Sequence, residues 1–91
     1  MKLEFDRDKD RANLRKHGIS LQAALEIDLL TAQIIPDDRR DYGEVRLWAV
    51  APIRGRLYVL TFTMRGNAVR AISLRKANER ERKRYERRSR L

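Results

Sequence analysis

Two consecutive runs, Leu57–Met64 and Ala68–Lys76, alternate their side chains with a period of two, and only Arg65-Gly66-Asn67 lies between them. An extended chain turns successive side chains to opposite faces, so the pattern predicts two strands; so short a link makes them antiparallel neighbours. Tyr58, Leu60, Phe62 and Met64 mark the apolar side of the first strand, and Ile72 and Leu74 that of the second. The other side carries Thr61, Thr63, Ala71 and Ser73, with Arg65 and Arg75 at the strand ends. Such a face is either a shallow trough with positive lips or the ordinary solvated side of a half-buried sheet.

The same reasoning extends the sheet. Ala32–Pro36 and Glu44–Ala51 read as two further strands, parted by the polar turn Asp37-Asp38-Arg39-Arg40-Asp41-Tyr42-Gly43 and followed by a turn around Gly55. Leu3–Phe5 reads as a short first strand, and Asp6 or Asp8 as the cap of a helix over Lys9–His17 that Gly18 stops. Ser20 caps a second helix whose apolar face is Leu21, Ala24, Leu25 and Leu29. Asn78 and Glu81 have the spacing of a capping box and open a last helix to Leu91, whose only apolar residues are Tyr85 and Leu91. The expected fold is therefore α+β over a single domain, 1–91. Two N-terminal helices pack on an antiparallel meander of about four strands, and a basic helix ends the chain.

Charge points to the class of partner. There are 22 Lys and Arg against 13 Asp and Glu, for a net charge of +9. Residues 1–44 hold 8 basic and 10 acidic side chains, whereas residues 45–91 hold 14 and 3. Arg outnumbers Lys 17 to 5, and a guanidinium fork grips two phosphate oxygens where an ammonium acts as a point charge. A polyanion fits this bias better than the alternative, a solvated surface with an acidic protein partner. The absence of Cys excludes disulfides and thiolate chemistry. The single His cannot build a histidine zinc site unaided. The carboxylates of Asp37, Asp38, Asp41 and Glu44 read as turn-formers paired with Arg39 and Arg40 rather than as a magnesium site, so neither metal nor cofactor is expected. No membrane-length apolar run or leader segment stands in the sequence, and the expected location is the cytoplasm.

Several segments then carry a resemblance. Leu14-Arg15-Lys16-His17-Gly18-Ile19-Ser20 resembles a signature of the BrnT toxins, and the run from Pro36 to Glu44, Arg65-Gly66, Ile72 to Ala77 and Glu79 to Tyr85 match later segments of that family in order. The resemblance covers nearly the whole chain. It implies a RelE/ParE-like fold and the toxin of a type II toxin–antitoxin pair: an RNA-cleaving enzyme that inhibits translation, neutralised by a cognate acidic antitoxin. It also implies that the complex binds its own operator DNA through the antitoxin. The alternative on the same fold is a non-catalytic nucleic-acid-binding or gyrase-directed module.

RNA carries its own nucleophile, the 2′-hydroxyl, so a metal-free ribonuclease needs fixed charge on the phosphate and groups that take and give protons. Arg65 and Arg75 are the candidates for charge, with Lys76 beside them, and Arg70, Arg80 and Arg82 for binding the strand. Arg46 and Arg54 read as peripheral. The proton carriers are His17, Tyr85 and Lys76. His17 stands before Gly18, where a capping role competes with catalysis; Tyr85 either stacks on a base or packs back on the sheet; Trp48 reads as core. The antitoxin is expected to cover the Arg65/Arg75 face and the last helix, with Leu91 as an apolar anchor.

Overall fold

A computed structural model describes residues 1–89 of the chain, so the expected anchor Leu91 lies outside the described residues. The elements are β1 (Lys2–Glu4), α1 (Arg7–His17), a 3₁₀ helix (Leu21–Glu26), β2 (Gln33–Pro36), β3 (Leu47–Ile53), β4 (Arg56–Arg65), β5 (Ala68–Lys76) and α2 (Glu79–Ser89). They build one five-stranded sheet in the order β1-β5-β4-β3-β2. The meander from β2 to β5 is antiparallel, as the alternation predicts, but β1 adds a fifth strand, and it runs parallel to β5. The sheet is therefore mixed rather than a four-stranded antiparallel one.

The second N-terminal helix is also corrected. Ser20 caps it, accepting from Gln22 N–H at 3.1 Å. The segment is a six-residue 3₁₀ helix whose buried residues Leu21 and Ala24, followed by buried Ile27, repeat every three residues. Leu25, placed on the apolar face by a 3.6-residue reading, is 47% exposed. The first helix agrees with expectation: Asp6 accepts from Lys9 N–H at 3.0 Å, and Gly18 follows with φ 72°, a left-handed conformation that costs glycine nothing.

One face of the sheet carries the core. Ala49, Ala51, Ile53, Leu60, Phe62 and Leu74 pack under the 3₁₀ helix. The register passes from Thr61 opposite Ser73 to Phe62 opposite Ala71, leaving Ile72 as an extra residue in β5. A bulge of this kind flips the alternation. Ala71 consequently enters the core, where the trough was expected, and Ile72 moves to the sheet margin beside Lys16 and His17.

Beyond Arg70 no strand pairs with the outer edge of β5, and α1 takes that place. The Asn13 carboxamide, 5% exposed, accepts from Leu74 N–H at 3.0 Å and donates to Leu74 O and Ile19 O at 2.9 Å each. One side chain thus replaces a strand neighbour and ties the helix to the loop after it.

Candidate active site

The second face of the sheet holds the site. Strand register sets two rows across it: Gln33, Val50, Val59 and Arg75, then Ile35, Trp48, Thr61 and Ser73. α2 opens with the expected capping box, in which Asn78 accepts from Glu81 N–H at 2.8 Å and Glu81 from Asn78 N–H at 2.9 Å. It crosses the first row from β5 to β2. Glu81 stands over Arg75, while one turn on Tyr85 closes a small apolar pocket with Gln33, Ile35, Trp48 and Val50. Gln33 Nε2 donates to Tyr85 O at 2.9 Å and to Ser89 Oγ at 3.2 Å. No residue of α2 is fully buried, which its charged sequence dictates. Beside the helix Ile35, Trp48 and Ser73 stay half-buried, while Thr61 and Thr63, expected in an open trough, are buried, Thr63 donating to Val45 O at 2.6 Å.

Arg75 is the hub of this face. Its Nη1 and Nη2 donate to Glu81 at 2.8 and 2.9 Å, and Nη1 also reaches Lys76 O at 3.3 Å. The bidentate pair holds Arg75 protonated and Glu81 well below the usual carboxylate range, the hydrogen bonds outweighing the burial of both groups. Burial first, then the charges of Lys16 and Arg75, push the His17 imidazole below its ordinary value. These effects favour the uncharged imidazole, the form able to take a proton.

The loop from β2 to β3 forms the other wall. Asp37 is buried, and its two carboxylate oxygens accept from Arg39 Nε and Nη2 at 2.7 and 2.9 Å. That clamp lays the Arg39 guanidinium over the Trp48 ring, 5.0 Å from its centroid. The Tyr42 ring carries Arg40 at 5.0 Å and Arg46 at 4.0 Å. The acidic residues of the loop stay local: Asp41 accepts from Gly43 N–H at 2.8 Å, and Glu44 stands 3.7 Å from Arg46. Among the described residues no three potential metal ligands gather.

The sequence-predicted residues separate into groups. His17 lines a surface hollow with Asn13, Lys16, Ile72 and Ser73 at the margin of the sheet, while Arg75 pairs with Glu81 and Lys76 is exposed next to it in the chain. Arg65 shares the Arg75 face but lies six residues along β4 from Val59, the partner of Arg75, or about 20 Å away at the rise of a strand. Arg70 pairs with Glu4 at 3.5 Å. Arg80 and Arg82 are exposed on α2, and Tyr85 is the foot of that helix rather than a neighbour of Arg75. Trp48 sits half-buried on this face, not in the main core, and Arg46 lines the site although it read as peripheral. Sequence reasoning missed Arg39, Tyr42 and Glu81 as site residues. The signal for the first two was present: arginines interleaved with an aromatic and ended by an arginine-tryptophan pair of strands.

Comparison with known proteins decides the family. The ribonuclease toxin BrnT of type II toxin–antitoxin systems matches residues 5–81. The chain belongs to the BrnT family. A crystal structure of the Brucella abortus ribonuclease toxin BrnT superposes with a TM-score of 0.68 at 26% identity, covering 87% of this chain and 99% of that one. No curated protein is similar enough to count as a match. As a BrnT protein the chain is a member of a ribonuclease toxin family, and its type II system implies a cognate protein antitoxin. The BrnT match spans α1, the Arg39 loop and Arg75, and ends on Glu81. No helix among the described residues is long and apolar enough to cross a membrane.

Proposed function

We propose that this chain is an endoribonuclease toxin that cuts RNA without a metal, through attack of the substrate's own 2′-hydroxyl, and thereby stops translation in the cytoplasm. The ribonuclease toxin family match over residues 5–81 carries this reading, and Arg75, held on the sheet face by Glu81 at 2.8 and 2.9 Å, is the fixed cation it needs. A neutral His17 takes the 2′ proton, Arg75 holds the charge that builds on the phosphorane, and Lys76 gives a proton to the 5′-oxygen as its bond to phosphorus breaks and the 2′,3′-cyclic phosphate forms. Arg39 adds a second fixed cation. Lys76, Arg80 and Arg82 extend the positive field along the strand, and Arg65 and Arg70 guide it at the far end of the face. The acidic antitoxin neutralises the toxin by covering this face, and the complex reaches its operator DNA through the antitoxin.

Single-stranded RNA incubated with the purified chain in EDTA tests the reading. The expected result is cleavage equal to that in Mg²⁺, leaving 2′,3′-cyclic phosphate ends, and no cut where the 2′-hydroxyl is replaced by hydrogen. Arg75→Ala should lose about 10²–10³ in rate, the cost of one transition-state donor. Intact RNA in EDTA with cleavage restored by Mg²⁺ overturns the metal-free mechanism. Salt-dependent binding with no cleavage under either condition makes the protein a binding module instead.

A further inference from the structure

Arg39 is bound in an unusual way for a phosphate ligand. Asp37, its side chain wholly buried, takes Nε and Nη2, the side-on edge with which arginine grips phosphate or carboxylate, and leaves only the narrower Nη1 end. One flat side of the guanidinium lies on Trp48. The arginine side chain is nonetheless 61% exposed. What it offers to a ligand is therefore a plane rather than a fork. Beside it the Tyr42 ring, with Arg40 and Arg46 over it, continues the alternation of aromatic and guanidinium planes. The buried Trp48 Nε1 has no hydrogen-bond partner, and Arg46 Nε, also without a hydrogen bond, stands 3.7 Å from Glu44 Oε1. Buried donors of this kind are rare in folded proteins and mark places where a further acceptor fits.

From this we infer that the Asp37–Arg39–Trp48 stack, with Tyr42, is a nucleobase platform: an unpaired RNA base next to the phosphate at Arg75 stacks on the outer face of Arg39. The inference rests on the ribonuclease reading and deepens it, assigning selection for single strands to the loop between β2 and β3. Paired bases are already stacked within their duplex and cannot reach a plane on a protein surface, whereas splayed bases bind aromatic and arginine planes. An acidic peptide would seek the edge of the guanidinium, which Asp37 already holds.

Trp48 is the only tryptophan of the chain, so its fluorescence reports on the platform directly. The protein is titrated with a 2′-O-methyl single-stranded oligoribonucleotide, which cannot be cut, with the same strand containing abasic positions, with a duplex, and with polyglutamate. The single strand should change Trp48 emission and bind about 5- to 100-fold more tightly than the abasic strand, the range for one stacked base. Arg39→Lys, which keeps the charge and loses the plane, should bind the intact strand as weakly as wild type binds the abasic one. Equal affinity for intact, abasic and duplex RNA overturns the platform, as does an Arg39→Lys protein indistinguishable from wild type. A Trp48 response to polyglutamate matching that to RNA also overturns it, in favour of an acidic-protein site. If RNA is cut in EDTA while any of these results holds, the platform falls alone; if RNA is neither bound nor cut, both readings fall.

Discussion

His17 shows how a residue with an ordinary structural explanation acquires a second role from its surroundings. It closes α1 before a left-handed glycine, as a capping histidine does, yet it also lines a surface hollow with Ile72 and Ser73 of β5. Burial, then Lys16 and Arg75, disfavour its charged form. A base must be uncharged to act, so cleavage should rise with pH along a limb whose midpoint lies below the ordinary histidine value, and be flat above it. Lys16→Gln removes one of the depressing charges, so the limb should move to higher pH; a pH–rate profile of the two proteins checks this, and a limb unmoved by the substitution removes His17 from the reaction. The stability sign follows the same logic. The unfolded chain binds a proton at His17 more readily than the folded one, so this group destabilises the fold only as pH falls below the usual histidine range. The attraction of His17 was legible in the sequence because a lone histidine beside a glycine cap is easily seen. Asn13, four residues earlier, was not: no pattern in a helix says that a carboxamide will pair with a peptide 61 residues away.

At the scale of elements, α2 is the part whose behaviour the sequence described only by half. Its charge and its lack of an apolar stripe correctly foretold a helix with nothing fully buried. The pattern could not say where it rests, since one tyrosine and one glutamate decide that. Periodicity likewise located β2 to β5, and Leu3–Phe5 reads as the first strand, but three residues are too few to show that this strand runs parallel to β5. The bulge at Ile72, which moved Ala71 into the core, has no residue-type signature. Glu81 occupies Arg75 as a phosphate oxygen pair would, and it places a negative charge where RNA must bring its own. Glu81→Gln should therefore tighten binding of a non-cleavable RNA by roughly fivefold, about 1 kcal/mol for a partly screened like-charge contact. The same change should lower unfolding stability by about 1–2 kcal/mol, because charge-assisted bonds between half-buried groups are lost. Calorimetric titration and denaturant unfolding read the two effects separately. RNA affinity that falls together with stability would mean that Glu81 builds the site rather than guards it.

For the molecule as a whole, a net charge of +9 acts at longer range than any single contact. Six basic residues of α2 and the arginines of the β2–β3 loop contribute to that field. An acidic antitoxin should therefore associate rapidly at low salt, and stopped-flow measurement should show the on-rate falling steeply as ionic strength rises, with a smaller change in the off-rate. An on-rate indifferent to salt would place the antitoxin elsewhere on the surface. The pairing of β1 with β5 has a different kind of consequence, in time rather than in space. Lys2 finds its partner at Ala68, 66 residues later, and a ribosome adding 5–20 residues each second needs roughly 3–13 s to supply it. Until then the first strand has no neighbour, α1 has no Leu74 peptide to hold, and Arg75 does not yet exist. On the ribonuclease reading, a nascent chain therefore lacks its phosphate-holding arginine until residue 75 has been added.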